Sequence, residues 1–385
     1  MERCYLRGSA AMGVIIREAA AGKVLDDFVR LPFSLYQGIE AWVPPIISDN
    51  RKYVTGKSNY MNQAGPNARI VAYLDGVPAG RLLYGINEHL NHAKGFREGY
   101  LSLFECIDSQ IVADAMLDHA RSWFREKGIE YMKGPLSLPG GDDCRGFLID
   151  NFESPTYVMQ TYNHKYYNDL FSAYGFEKYL DCYGYDIKDD QEDIRKFERL
   201  VPLAMKRYGY TVDRIDLTNM DREMRDVKKI IEMSMPDDWD DFIPPNDEEI
   251  ALIAKQLIPY ADPDFIYIAR TLEGEPIGFD IALPDYNMVL KRMNGRLLPF
   301  GILKYMKYRK KIDRLRVFVL FVVPEYRKKG VSGAIYLNMW RKGIEKGYKR
   351  GEASTIWEYN KPMITDIKEF IGEPYKTYRL YRMNV

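Results

Sequence analysis

The sequence predicts an α/β protein built from mixed sheets in two related halves. Three observations carry that prediction. Apolar runs of strand length alternate with amphipathic stretches of helix length along all 385 residues. The turn Gly76-x-Pro78-x-Gly80 returns as Gly274-x-Pro276-x-Gly278, and Gly175 returns as Gly372, so the punctuation repeats about half a chain apart. Finally, Leu315 to Asn338 reads as strand, basic turn and helix in direct succession. A chain of this length suggests two domains. They are placed at 12–190 and 191–385, divided at the charged bridge Lys188-Asp189-Asp190-Gln191-Glu192-Asp193.

The elements follow in order. Residues 1–11 look irregular, as a leader or an upstream start, and are set aside. Gly13 to Glu18 reads as a strand. Leu25 to Tyr36 reads as an amphipathic helix interrupted near Pro32, and Trp42-Val43-Pro44-Pro45 as a rigid extended turn. Ala68 to Leu74 and Gly80 to Ile86 form a hairpin across Asp75-Gly76. Tyr100 to Cys106 is a strand. Ile111 to Glu126 is a helix with Met116, His119, Ala120 and Phe124 at helical spacing, and Ile129 to Gly134 is a strand. The loop Pro135 to Asn151 is rich in Gly, Pro and Asp. A short helix, Tyr166 to Tyr174, meets its cap at Gly175, and the strand Phe176 to Ile187 closes the half.

The second half repeats the order. Ile194 to Tyr208 is a helix, Tyr210 to Asp216 a strand and Met220 to Met233 a helix. Pro236 to Pro245 is irregular and acidic, carrying Asp237, Asp238, Asp240 and Asp241. Asp247 to Ile258 is helical. Phe265 to Leu272 and Glu275 to Ala282 form a hairpin across Glu273-Gly274. A loop, Leu283 to Phe300, and a basic segment, Lys304 to Arg316, lead into the strand–turn–helix unit. Gly351 to Trp357 is a strand, Asn360 to Ile371 a helix and Pro374 to Arg382 the last strand. Each half is expected to hold its own mixed sheet, antiparallel early and parallel around the central helix.

Composition bounds the function. Lys plus Arg equals Asp plus Glu at 55 each, so the chain carries no bias toward nucleic acid or toward an acidic partner. The cysteines Cys4, Cys106, Cys144 and Cys182 have neither metal spacing nor a disulfide framework, which fits a reduced cytoplasm. No apolar run reaches transmembrane length, so no membrane partner is expected. His89, His92, His119 and His164 form no ligand or triad pattern, and His89 and His92 read as part of a polar loop.

The chemistry concentrates in the strand–turn–helix unit. A β-branched and aromatic run, Val317 to Val323, ends at Pro324. The turn Arg327-Lys328-Lys329-Gly330-Val331-Ser332-Gly333 then opens a helix. Helix-terminal N–H groups and the positive end of the dipole point at whatever sits there, and two glycines let the backbone come close. The physical expectation is an anion site, with pyrophosphate as its occupant; an ordinary strand-to-helix turn is the simpler reading.

Leu320-x-Val322-x-Pro324-x-x-Arg327-x-x-Gly330-x-Ser332 resembles the acyl-CoA-binding motif of the GNAT acetyltransferase superfamily. That motif is a hydrophobic strand, then Arg/Gln-x-x-Gly-x-Gly/Ala, then a helix. Ser332 stands where the last Gly or Ala is usual, with Gly333 behind it to supply slack. Over nearly its whole length the chain is similar to a bacterial family of tandem-GNAT proteins. The matching stretches include Trp42-Val43-Pro44-Pro45, Phe104-Glu105-Cys106, Gly134-Pro135-Leu136, Asn294-Gly295-Arg296-Leu297-Leu298-Pro299-Phe300-Gly301 and Tyr375-Lys376-x-Tyr378-Arg379. The family implies two GNAT-like domains and no established substrate. The first-half counterpart of the basic turn, Tyr100 to Gln110, has no Arg-x-x-Gly, no cationic cluster and no glycine. One active site is therefore expected, in the second half, with the first half as support or as part of the acceptor pocket.

The resemblance implies acetyl-CoA or another acyl-CoA as cofactor and transfer of its acyl group to an amine, a small molecule or a peptide. Backbone groups of Phe321, Val322 and Val323 would take the pantetheine arm. Arg327, Lys328, Lys329, Gly330, Val331, Ser332 and Gly333 would hold the pyrophosphate, and Asn360 would cap the next helix or touch the cofactor. Direct attack on the thioester needs a base and a leaving-group acid. The tyrosine that many GNAT enzymes use as acid is replaced by lysine in Ile367-Lys368-Glu369-Phe370-Ile371-Gly372, so Tyr378, among Tyr375, Tyr378 and Tyr381, is taken as the acid. Glu352 and Ser354 alternate on one strand face, and Glu358 at the strand end is taken as the base. Trp239, Asp240, Asp285, Asn287 and Arg296 lie in loops expected to line the acceptor pocket. Two other readings stay open: a CoA or acyl-CoA binder without turnover, and a Fem-type aminoacyltransferase fed by aminoacyl-tRNA. The sequence leaves the oligomeric state undetermined.

Overall fold

The computed structural model describes residues 13–138, 144–188, 191–236, 239–257 and 260–385. The proposed leader, Asp142, Asp143, Asp189, Asp190, Asp237, Asp238 and Ile258 lie outside the described residues. The first half carries strands β1 (Val14–Glu18), β2 (Asn67–Leu74), β3 (Val77–Gly85), β4 (Glu98–Cys106), β5 (Tyr131–Gly134), β6 (Phe147–Leu148) and β7 (Glu177–Lys188). Its helices are α1 (Gly22–Leu35), α2 (Ile47–Val54), α3 (Met61–Ala64), α4 (Glu88–Lys94), α5 (Gln110–Glu126) and α6 (Tyr166–Tyr174). The second half carries β8 (Tyr210–Arg214), β9 (Ile266–Thr271), β10 (Pro276–Pro284), β11 (Arg314–Val322), β12 (Arg350–Trp357) and β13 (Lys376–Asn384). Its helices are α7 (Gln191–Tyr208), α8 (Met220–Ser234), α9 (Asp247–Leu257), α10 (Asn287–Met293), α11 (Gly301–Tyr308), α12 (Val331–Lys346) and α13 (Lys361–Phe370).

The expected strands all form, and each half has an antiparallel hairpin series followed by one parallel pair, β4 with β5 and β11 with β12. Several helices escaped the sequence reading. The segment holding His89 and His92 is α4 rather than a loop, because Asn87 caps it by accepting from Leu90 N and Gly95 ends it at φ 69°. The expected loop after Leu283 contains α10, and the basic segment contains α11. Short helices like these carry little periodicity to read.

The expectation of two separate sheets is corrected. A single 13-stranded sheet runs β1-β2-β3-β4-β5-β13-β7-β12-β11-β10-β9-β8, with β6 against β13. The two halves exchange their last strands. β7 leaves the first half and pairs antiparallel with β12, placing Asp186 opposite Glu352. β13 crosses the other way and pairs with β5, placing Tyr381 opposite Gly134. The exchanged strands then pair with each other. Parallel β12 and β5 each need a neighbour on their open edge, and an unpaired central edge would strand buried amide groups.

Helices cover both faces. α5 buries Val112, Met116, Leu117, Ala120 and Phe124 against the first-half sheet. α12 does the same in the second half with Val331, Ala334, Ile335, Leu337 and Met339. No helix among the described residues is long and apolar enough to cross a membrane.

Candidate functional site

The site begins where two parallel strands part. β11 and β12 pair from Arg314–Arg350 to Val317–Ala353. Beyond Val317, β11 stays with β10, where Phe321 faces Phe279 and Val322 faces Gly278. β12 instead follows β7, with Ile356 opposite Tyr183 and Trp357 opposite Cys182. Each strand is held by its outer neighbour, so the gap between them widens into a fork. The fork opens into a cavity of about 1290 Å³. That exceeds the volume of an ordinary small-ligand pocket, roughly 300–1,000 Å³.

One end of the cavity reaches the N-terminus of α12, where Lys328, Val331, Ser332 and Gly333 line it. No side chain caps that helix. Its first-turn N–H groups and dipole are therefore free to hold an anion. Gly330 turns the chain at φ 81°, and the Tyr210 hydroxyl donates to Lys329 O at 3.2 Å to fix the turn. Gly333 has a packing role, since a Cβ there would lie 2.9 Å from the Phe197 ring of α7.

At the base of the fork sits a polar cluster. Glu352 is fully buried, and one of its carboxylate oxygens accepts from Ser354 Oγ and Gln160 Nε2. The other accepts from the Tyr375 hydroxyl. Gln160 also donates to Ser354 Oγ at 2.7 Å. Burial and the Glu352 carboxylate together push the Tyr375 hydroxyl well above the ordinary phenol range, so it stays protonated. Arg316, 1% exposed, braces the cluster by donating to Ser354 O at 3.1 Å and to Val158 O at 2.5 Å. Ser354 and Tyr375 line the cavity, and Glu352 stands behind them.

The first half supplies part of this site. Its loop 154–160 is pinned by second-half side chains. Asp285 accepts from Val158 N at 2.9 Å, Asn287 donates to Thr156 O at 2.9 Å, and Lys376 donates to Ser154 O and Pro155 O. Burial raises the Asp285 carboxyl to about 6 and lowers the Lys376 ammonium to about 8. Arg145, from the loop before β6, stacks on Phe242 and Trp357 at 5.1 and 4.9 Å from their centroids and faces the cavity. In return the second-half loop after α8 reaches into the first half. There Lys133, fully buried, pairs with Asp241 at 2.6 Å and with Glu98.

The equivalent fork in the first half is filled. β4 and β5 pair from Glu98–Tyr131 to Tyr100–Lys133 and then part. Past that point on β4 the buried Glu105 accepts from Tyr36 at 2.6 Å and Tyr167 at 2.9 Å, with Arg81 at 3.4 Å. The Tyr167 hydroxyl also takes the N–H of Cys106 at 3.1 Å. Phe104, Phe147 and Phe171 pack edge to face around it.

The residues singled out from sequence scatter around this geometry. Phe321, Val322, Arg327, Lys328, Val331, Ser332, Gly333, Trp239 and Asn360 line the cavity. Val323 is buried and donates to Ile277 O. Arg327 is tied by Ser234 O and Val322 O, and Lys329 lies over the rings of Tyr326 and Tyr208. Asn360 caps α13. Trp239 sits between Phe321 and Tyr359 over the fork, while Asp240 is exposed and its neighbour Asp241 holds Lys133. Asp285 and Asn287 anchor loop 154–160 behind the cavity wall, and Arg296 lies exposed beyond α10.

Neither residue read as catalytic is among those lining the cavity. Glu358 faces β7, accepting from Asp181 N and pairing with Lys178 at 2.8 Å. Tyr378 on β13 is fully buried beside Glu352 and Arg316, and its hydroxyl has no hydrogen-bond partner among the described residues. Tyr375, just ahead of β13, reaches the fork instead. The signal for the polar cluster at the fork and its neighbour Lys376 lay in charged residues inside apolar strands: Arg316 in β11, Glu352 in β12 and Lys376 in β13. A charge in a buried strand needs a partner. Gln160, in a loop, gave no such signal.

Fold and fork together define a tandem GNAT architecture. The solved tandem GNAT protein from the clavulanic acid biosynthesis pathway, determined without AcCoA, superposes with a TM-score of 0.57 at 12% identity, covering 96% of this chain and 98% of that one. In sequence, the chain is 26% identical over 369 residues to Protein YghO of Escherichia coli strain K12, covering 94% of this chain and 93% of the relative. It is 24% identical over 366 residues to the bacterial ceramide synthase of Caulobacter vibrioides strain NA1000 / CB15N, covering 93% and 94%. No protein-family model matches the chain.

Proposed function

We propose that the protein is an N-acyltransferase that takes an acyl group from acyl-CoA and moves it to an amine in the fork of the second half. The observation that carries this reading is one cavity joining the parted strands β11 and β12 to the uncapped N-terminus of α12. The residues present fit CoA. Lys328, Ser332 and the first-turn N–H groups of α12 suit a pyrophosphate. The open edge of β11 at Phe321 and Val322 suits the amide-rich pantetheine arm.

The reaction joins the amine nitrogen to the thioester carbonyl carbon and breaks the carbon–sulfur bond, and one amine proton ends on the CoA sulfur. In this reading the protonated Tyr375 hydroxyl gives its proton to the leaving sulfur. The proton that the amine releases returns to it by way of Ser354, which lines the cavity, and Glu352, to which both hydroxyls donate.

The acyl group and acceptor are proposed to be lipidic. The cavity wall is apolar where it leaves the fork, with Phe318, Ile281, Ile253 and Leu257 among its lining residues. One full-length relative carries the name ceramide synthase, and a ceramide is the amide of a fatty acid with a long-chain amino alcohol. The test is thiol release from long-chain and short-chain acyl-CoA with a panel of amino alcohols, with the amide identified by mass spectrometry. Acyl-CoA that binds without thiol release, whatever amine is supplied, would replace this reading with a binding protein.

A further inference from the structure

We propose that the segment from Leu297 to Lys311 is an anchor that seats the protein on an anionic membrane surface. Six large apolar side chains, Leu297, Leu298, Phe300, Ile302, Leu303 and Met306, stand exposed within ten residues. Leu298 is 71% exposed and Phe300 69%. Exposed apolar residues are ordinary singly, but a run of them marks a contact surface.

Charge identifies the occupant. The whole chain balances its charges, yet from Tyr286 to Ile312 there is no Asp or Glu. Lys291, Arg292, Arg296, Lys304, Lys307, Arg309, Lys310 and Lys311 fall in that interval. Lys291 is neutralised by Glu40 at 2.8 Å. Three of the others converge on one ring: Arg292, Lys307 and Lys311 lie 4.5, 5.5 and 5.7 Å from the centroid of Tyr308. Arg309 lies 5.8 Å from Tyr305. Like charges gathered around aromatic rings, with apolar side chains beside them, match the headgroup layer of an anionic bilayer, which offers phosphates above and acyl chains below. A helix lying in that layer needs no membrane-spanning run.

The anchor is coupled to the site. Tyr305 of α11 stacks on Tyr286 at 6.1 Å, and Tyr286 meets Tyr260 at 5.7 Å. Ala261 and Leu257, beside Tyr260, line the cavity. A lipid surface at α11 therefore lies one aromatic ladder from the apolar end of the cavity.

The test is co-sedimentation with vesicles of phosphatidylcholine alone and of phosphatidylcholine mixed with phosphatidylglycerol. Wild type is expected to bind the mixed vesicles, less so as salt rises. Lys307→Gln/Lys310→Gln/Lys311→Gln should weaken binding about fivefold per charge removed. Leu298→Asp/Phe300→Asp/Leu303→Asp should abolish it with the melting temperature unchanged, since these side chains are exposed. Absence of wild-type binding, or equal binding by the charge variant, overturns the proposal. So does ultracentrifugation that finds a dimer dissociated by Phe300→Asp without loss of vesicle binding, which would make this face an interface between copies. If inorganic phosphate displaces the protein from vesicles where chloride of equal ionic strength does not, the basic cluster is a free-anion site and the anchor is again overturned. Acyl transfer in detergent solution is measured separately, so the two readings fail independently.

Discussion

The Tyr375 hydroxyl donates to Glu352, whose second carboxylate oxygen is already taken by Ser354 and Gln160. The pair joins residues from two segments at the base of a fork, and a third partner comes from the other half of the molecule. A phenol held protonated against a carboxylate can give a proton forward and recover one from behind once the carboxylate has taken up the proton that the amine releases. Tyr375→Phe is expected to lower kcat about a hundredfold while acyl-CoA affinity changes little. Single-turnover thiol release with calorimetric binding checks both. Glu352→Gln should give a similar loss.

Tyr378→Phe is the contrasting variant. Its hydroxyl is buried without a hydrogen-bond partner among the described residues, an arrangement that costs stability. The variant is expected to keep full activity and to be as stable as wild type, or more stable by up to about 1 kcal/mol. Denaturant unfolding measures the second outcome.

Ser332→Glu tests the anion site. A carboxylate in the first turn of α12 suits the helix dipole, so stability should hold or rise slightly. The same charge would occupy and repel a phosphate position. CoA affinity is expected to fall about tenfold or more, read by calorimetry.

Lys133→Met tests the crossing loop. The variant leaves Asp241 buried without its lysine and Glu98 with only Arg382, at 3.6 Å. A loss of about 3–5 kcal/mol is expected by denaturant unfolding. Because Asp241 anchors the loop that carries Trp239 over the fork, acyl-CoA affinity should fall too.

Lys376 gives a pH dependence. Burial depresses its ammonium from 10.5 to about 8. The unfolded chain therefore holds this proton between about pH 8 and 10.5 while the folded protein does not. Stability contributed by the group is full above 10.5 and is lost as pH falls through 8. Relative to Lys376→Met, wild type should gain up to about 1.4 kcal/mol per pH unit across that window. Parallel stability curves for the two proteins would contradict the shift.

Sequence order showed most of the fold because strand length, turn chemistry and helix periodicity are local signals. The hairpins at Asp75-Gly76 and Glu273-Gly274 and the unit from Val317 to the end of α12 formed as expected. The exchange of β7 and β13 was not legible, since either half offers a parallel strand with an open edge and nothing local chooses between them. The turn before α12 was legible because glycine and charge mark it in one stretch. Glu358 and Tyr378 were chosen by position in the chain. The polar cluster at the fork depends on which face of a strand meets a loop more than a hundred residues away, as Gln160 meets Glu352.

The strand exchange also sets an order of assembly during synthesis. β5 is made early, yet its neighbour β13 follows only after the other described strands of the second half. The N-terminal half must therefore wait, its sheet open at a central edge, until the second half is translated. Such an edge invites association with other chains. A nascent chain of this protein depends on chaperone cover for longer than one whose domains close as they emerge, and a stop codon near residue 375 would damage the N-terminal half as surely as the C-terminal one.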